Sequence, residues 1–275
     1  MKKVISFSLW GNNSFYVIGA ILNADIAEAE WPDWICRFYV APSVPTSAIL
    51  ELQSRKNVEI IKMDEDVSWN GMFWRFYPCS DPTVDVVISR DTDSRLSIRD
   101  KAAVDEWLNS DKDFHILRDN CQHGWPICGG AWGCRNRILH NMKNMTEQYN
   151  PKSIDNNHGI DQKFLSSQIY PYIQGTAFVH DDWFPNSFIH ETKHKFPIPR
   201  LRGDGWWNTT FPEWHSGIED DIVNYPHWSK GTGHCFFLCP ACNVHHDNDY
   251  IGKQRIVTDQ NKQKYKHIIK EMELL

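Results

Sequence analysis

No run of apolar residues in this 275-residue chain approaches the roughly 20 residues needed to cross a membrane. The N-terminus, MKKVISFSLWGNN, sets two lysines before an apolar stretch, but polar residues interrupt it by Gly11, too early for the core of a secretion signal. A basic excess is missing too. Lys and Arg number 29 against 35 Asp and Glu, a formal net charge of −6, so there is no electrostatic footprint for nucleic acid or an anionic membrane. Internal repeats and low-complexity linkers are also missing. These absences lead to the expectation of a soluble, cytoplasmic protein without a membrane span. Its eight cysteines are then free thiols or metal ligands rather than disulfides. An anionic ligand would need a local device, such as a metal ion or a few placed Arg and Lys.

What is present is an ordinary globular composition, 41% hydrophobic and 23% charged, in a length that suits one large α/β domain with or without a small appendage. Thirteen tryptophans are open to two readings, a Trp-rich core or rings that stack on sugars. The first half alternates strand and helix signals. Val4–Leu9, Ile35–Val40, Val58–Met63 and Val84–Ser89 are apolar or β-branched runs, and the last is the strongest. Tyr16–Ala29 has apolar residues at helical spacing, and Thr46–Ser54 is a short helix with Thr46 as its cap. Ile98–Ser110 is amphipathic with Ala102, Val104 and Leu108 facing in, and Ile160–Ile173 is a further helix. Strands alternating with helices predict a mostly parallel, doubly wound sheet with flanking helices. From Asp181 to Tyr250 the pattern dissolves into Pro, Gly, His and Trp, and a helix returns around Tyr265 and Ile268. The expected division is a core over 1–182 and a loop-rich extension over 183–275 that packs on it.

The D-x-D pattern occurs four times, at Asp64/Asp66, Asp91/Asp93, Asp111/Asp113 and Asp247/Asp249, so alone it carries no information. Only Asp91/Asp93 directly follows a buried-type strand. Ligands of open α/β sheets bind beyond the carboxyl ends of the strands. Two carboxylates at i and i+2 there can approach one hard cation, Mn²⁺ or Mg²⁺, which takes oxygen ligands and shares them with phosphates. The alternative is a solvated acidic turn.

Trp69-Asn70-Gly71-Met72-Phe73-Trp74-Arg75-Phe76 followed by VDVVISRDTDSRLS resembles glycosyltransferases of the GT-A fold, over roughly Met1 to Asp182. The resemblance implies a GT-A core and a hexosyltransferase-type enzyme. Its substrates would be a nucleotide-diphosphate sugar donor and a carbohydrate acceptor. It makes Asp91 and Asp93 the carboxylates for the metal and the ribose, and Arg75 a donor-contacting arginine. It sets Ser8, Leu9 and Trp10 at the nucleotide, and Gly129 and Gly130 in the glycine-containing segment beside the donor sugar. Gly159-Ile160-Asp161-Gln162 is similar to the Asp-Gln pair of family 8 type transferases, and His180 resembles the later histidine that completes their metal site. An inverting enzyme also needs a carboxylate base, for which Asp161 is the first candidate and Asp181 or Asp182 the reserve; a retaining enzyme needs none there, and the stereochemistry stays open. Each has a plainer reading: Gly129 and Gly130 as a turn, Asp161 as a partner of a helix dipole, His180 as a hydrogen-bonded structural histidine, Arg75 as a salt-bridge residue.

Cys235, Cys239, Cys242 and His245 form a second constellation, whose C-x2-C knuckle is the spacing of a structural Zn²⁺ site; buried free thiols are the alternative. Two rival functions remain. A phosphatase of the haloacid-dehalogenase type also sets D-x-D after a strand, but at the end of the first strand, whereas about ninety residues precede it here. A non-catalytic carbohydrate-binding protein would explain the tryptophans.

Overall fold

The computed structural model describes residues 1–64, 69–119, 123–135, 138–149, 157–182, 184–198 and 259–274. The chain runs β1 (Lys3–Leu9), α1 (Ser14–Glu30), β2 (Trp34–Val40), α2 (Thr46–Gln53) and β3 (Val58–Lys62), then a 3-10 segment (Trp69–Ser80). β4 (Val86–Ser89), α3 (Ile98–Leu108), β5 (Phe114–Arg118), β6 (Trp132–Arg135) and α4 (Met142–Tyr149) follow. Next come α5 (Ile160–Phe164), a π-helical turn (Leu165–Ile169), α6 (Tyr170–Ile173), β7 (Phe178–Asp181) and β8 (Lys193–His194). The last described elements are α7 (Asp259–Lys264) and α8 (Lys266–Met272).

The strands form one sheet in the order β3-β2-β1-β4-β6-β5-β7-β8. Every neighbouring pair is parallel except the two that β6 makes, with β4 and with β5. This is the expected α/β class with a mostly parallel sheet and flanking helices. β1 and β2 are buried along nearly their whole length, polar Ser6, Ser8 and Arg37 included, because both faces of a parallel sheet are covered. One face packs Ile5, Phe7, Val86 and Ile88 against α1, α3 and α8, and the other packs Val4, Val87, Ile116 and Trp132 against the 3-10 segment and α5. Five of the tryptophans, Trp31, Trp34, Trp74, Trp107 and Trp132, are core residues, and Trp10 lies edge-to-face on Trp74.

Several elements depart from the sequence reading. β4 begins at Val86, where its pairing with Lys3 of β1 starts. The 69–80 segment, given no element by the sequence, is 3-10, consistent with Gly71 and Pro78 inside it, two residues that weaken a regular α-helix. α3 buries Arg99, Asp100, Ala103, Val104 and Trp107, a face rotated from the expected one. Its charged residues are neutralised in place, Arg99 by Asp119 at 2.6 Å and Asp100 by Arg90 at 2.7 Å. Thr46 does not cap α2. Pro45 occupies that position, and the Glu271 carboxylate of α8 accepts from the Thr46 and Ser47 N–H groups at 2.8 and 3.1 Å. Tyr265, Ile268 and Met272 join the core, so the C-terminal helix is built into the domain. Among the described residues no helix is long and apolar enough to cross a membrane.

Candidate functional site

β4 ends at Ser89, opposite Ser6 of its parallel neighbour β1, which runs on to Leu9, and the Asp91–Ser94 turn follows at that edge. The Ser94 N–H closes it on the Asp91 carbonyl at 3.2 Å. α1 holds the turn from beneath. Asn23, buried in the helix, donates to the Ser94 carbonyl at 2.7 Å and accepts from the Leu96 N–H at 3.0 Å. Gly19 is the close-approach point: a Cβ there would overlap the Thr92 carbonyl and press on the Arg95 guanidinium, which itself donates to Thr92 O at 3.0 Å.

With its backbone fixed in this way, Asp91 turns its carboxylate toward the 3-10 segment. Arg75 arrives there because its own N–H donates to Ser8 Oγ at 3.0 Å, which registers the segment on the end of β1. Its guanidinium then bridges two acids, Nη1 donating to Asp91 Oδ1 and Nη2 to Asp161 Oδ2, the latter at 2.6 Å. Asp161 sits in the first turn of α5, after Gly159 at φ 83°. Gly129 and Gly130 close the arrangement. A Cβ on Gly129 would overlap Asp161 and Arg75, and one on Gly130 would overlap Asp91. The Gly129 carbonyl is tied down by Ser89 Oγ at 2.7 Å. Ser8, Arg75, Asp91, Gly129, Gly130 and Asp161 are therefore one contiguous cluster.

Exposure divides this cluster. The Asp91 side chain is 40% exposed, while that of Asp161 is 2%. Burial pushes the Asp161 carboxyl above its ordinary range, although Arg75 beside it pulls the other way. Burial draws Arg75 down, but the charges of Asp91 and Asp161 outweigh it and hold the guanidinium above its usual value. Among the described residues, Asp161 Oδ1 and Arg75 Nε are buried without a hydrogen-bond partner. A buried carboxylate oxygen left bare is costly, and such a group marks a place that a ligand proton can satisfy.

The other expected site residues fall as follows. Asp93 is half-buried on the turn and accepts from Ser94 Oγ at 3.4 Å. Trp10 lies half-buried beyond the end of β1, edge-on to Trp74. Leu9 has its side chain in the core, so it offers a ligand backbone only. His180 does not join Asp91 and Asp93. Its β7 neighbour Val179 lies in the cluster with α5, and His180 itself turns to the α3 side. There its Nδ1 pairs with His115 Nε2 at 2.8 Å and its Nε2 with Glu106 at 3.2 Å, so both ring nitrogens are engaged. Asp181 is fully buried, accepts from the Phe184 N–H at 2.8 Å and pairs with Arg118 at 3.3 Å. That carboxylate is committed to holding a loop. Cys235, Cys239, Cys242 and His245 lie outside the described residues. Asn23, Gly19 and Ser89 were not singled out by sequence. The available signal was Asn23, a polar residue within the apolar stripe of Val17, Ala20, Ile21 and Ala24.

A divalent cation suits the Asp91–Ser94 turn in one form only. Among the described residues no group of three or more His, Cys, Asp or Glu could hold a metal by itself. Asp91 and Asp93 offer hard oxygens on an accessible turn, which fits an ion such as Mg²⁺ that takes one or two carboxylates and completes its shell with phosphates and water.

No protein-family model matches the chain, and no curated protein does. Solved structures do show a likeness. Three of them are glycosyltransferases. One is involved in glycosylation of the major capsid of the virus PBCV-1, with 14% identity over 66% of this chain and 82% of that one, TM-score 0.44. A second is the galactosyltransferase LgtC with donor and acceptor sugar analogs, 14% identical over 83% and 99%, TM-score 0.44. A third is a mannosyltransferase from Pyrobaculum calidifontis in complex with GDP-Man and Mn²⁺, 10% identical over 51% and 46%, TM-score 0.40. This chain spans less than half the length of that mannosyltransferase.

Proposed function

We propose that this protein transfers a sugar from a nucleotide-diphosphate donor to a hydroxyl of a glycan or similar acceptor. The observation that carries the reading is the cluster at the carboxyl edge of β1 and β4. There an accessible carboxylate, a buried arginine and a buried carboxyl with a bare oxygen meet under two glycines. Breaking the anomeric bond builds an oxocarbenium-like sugar and negative charge on the departing phosphate. Arg75 is a pre-placed cation for that charge, and its low-dielectric surroundings strengthen it. Asp91 and Asp93 would hold Mn²⁺ or Mg²⁺ together with the diphosphate, and a bound cation supplies Lewis-acid stabilisation of the leaving oxygen. Ser8 and Trp10 border the nucleotide end, and the backbone at Gly129 and Gly130 borders the donor sugar. For an inverting reaction Asp161 is the candidate base for the acceptor hydroxyl, and the raised affinity of this carboxyl for protons suits it to that role. Asp181 and His180 take no part in this scheme, since both are engaged elsewhere.

The same turn argues against the phosphatase reading, because here D-x-D ends the fourth strand of the chain. The test is incubation of the protein with Mn²⁺ and a panel of nucleotide sugars, with and without simple glycosides. Release of a nucleoside diphosphate, accelerated by an acceptor, is expected. Release of inorganic phosphate would point to a phosphatase, and no release from any donor would point to a binding protein.

A further inference from the structure

The chain supplies its own cations to the two acids of the Asp91–Ser94 turn. Asp91 is paired with Arg75. Asp93 lies in the field of the buried Arg95 guanidinium. We propose that Arg75 is an internal counter-ion that competes with a divalent cation for Asp91, so that the ion binds only as the guanidinium lets Asp91 go. This rests on the reading of Asp91 as a cation ligand.

The geometry assigns the two ends of the bridge different lifetimes. The Arg75–Asp161 contact is dry at both partners, with side chains 7% and 2% exposed. The Arg75–Asp91 contact opens to solvent on the Asp91 side. Water screens and competes for the second pair far more than the first. Asp161 is also pinned under Gly129, so it stays with Arg75 when Asp91 leaves. One guanidinium charge on two carboxylates leaves the trio at −1. Removing Arg75 would leave Asp91 and Asp161 both uncompensated, a stronger cation trap; neutralising Asp161 would concentrate Arg75 on Asp91, a weaker one. The exchange also couples two ligands. When Asp91 turns to the cation, Nη1 of Arg75 is left without its acceptor and is free for a phosphate oxygen. Cation and nucleoside diphosphate should therefore each tighten the binding of the other, by the same factor.

The experiment is titration of Mn²⁺ followed by the electron-paramagnetic-resonance signal of the free ion, with no sugar donor and no turnover. Arg75→Met is expected to bind Mn²⁺ at least about tenfold more tightly than the wild type, ~1.4 kcal/mol. Asp161→Asn is expected to bind it more weakly, and UDP or GDP is expected to tighten Mn²⁺ binding more in the wild type than in Arg75→Met. Unchanged or weaker Mn²⁺ binding by folded Arg75→Met, as for a tether that merely holds Asp91 in place, overturns the proposal. If circular dichroism shows that Arg75→Met does not fold, Asp161→Asn decides, and unchanged or tighter binding there overturns it. Asp91→Asn separates the two levels. If it leaves wild-type Mn²⁺ binding intact, Asp91 is no ligand and the underlying reading fails as well. If it abolishes binding while Arg75→Met gains nothing, only the competition fails.

Discussion

Asn23 makes the sharpest case at the scale of single residues. It is fully buried on α1, and its amide donates to the Ser94 carbonyl at 2.7 Å and the Asp91 carbonyl at 3.4 Å and accepts from the Leu96 N–H, all at the turn that carries Asp91 and Asp93. Asn23→Ala strands these groups in the interior and should cost roughly 1–3 kcal/mol of stability, read by chemical denaturation. It should also loosen the turn and lower donor affinity. Gly129→Ala puts a methyl group into Asp161 and Arg75, so activity should fall at least about a hundredfold if the near-attack geometry is there. Asp93→Asn should abolish transfer with an unchanged melting temperature; nearly normal turnover with full metal dependence would remove Asp93 from the site. Residue by residue, the cluster of Ser8, Arg75, Asp91, Gly129, Gly130 and Asp161 was reachable only through the family resemblance. Neither D-x-D spacing nor a lone arginine says which acids will share a guanidinium across 16 and 86 residues of sequence separation. His180 shows the limit of that route. A histidine at a strand end can face either side of the sheet, and here the alternation of β7 turns it away toward α3.

At the scale of elements, β1 to β4 and α1 to α3 were legible because they are apolar runs or amphipathic periods of sufficient length. β5, β6 and β7 were not. FHILR, WGCR and FVHD are four or five residues long, and each buries a polar or small residue that breaks a strand pattern. Those polar residues are satisfied by tertiary partners that a local reading does not see: Arg118 by Glu191 at 2.6 Å, His115 by His180 at 2.8 Å. The cap of α2 is similar, since its acceptor comes from Glu271, 225 residues from Thr46 along the chain. Glu271→Ala should expose the α2 N-terminus and undock α8, at a cost of about 1 kcal/mol typical of a lost cap. The check is the denaturation midpoint of the variant. A value equal to the wild type would mean that α8 is held by Tyr265 and Ile268 alone.

The whole molecule should also be acid-sensitive at neutral charge on its interior histidines. Burial pulls His180 down to about 4 against the opposing hydrogen bond to Glu106, and burial with the neighbouring His180 pulls His115 well below its ordinary value. The network is coherent for neutral rings. Glu106 accepts from His180 Nε2–H, His180 Nδ1 accepts from His115 Nε2–H, and His115 Nδ1 is left bare. The unfolded chain binds protons on these rings from pH 6.5 downward, whereas the folded chain keeps His180 neutral until about pH 4 and holds His115 well below its ordinary value, so stability should be full above pH 6.5 and fall as the pH drops beneath it. Replacing His180 with Gln should flatten that fall in a pH series of thermal melts. A profile as steep as the wild type would transfer the effect to other groups.

The central claim is that the Asp91–Arg75–Asp161 cluster receives a nucleoside diphosphate with its cation, and ligand-induced stabilisation tests it most directly. Wild-type protein and Asp91→Asn are melted with a panel of UDP and GDP sugars, in Mn²⁺ and in chelator. At a hundred times Kd a bound ligand adds about 2.7 kcal/mol, a rise of roughly 5 °C or more for a domain of this size. The account predicts such a rise for at least one donor in wild type with Mn²⁺, and its loss in chelator and in Asp91→Asn. An equal rise in Asp91→Asn would place the nucleotide elsewhere and contradict it.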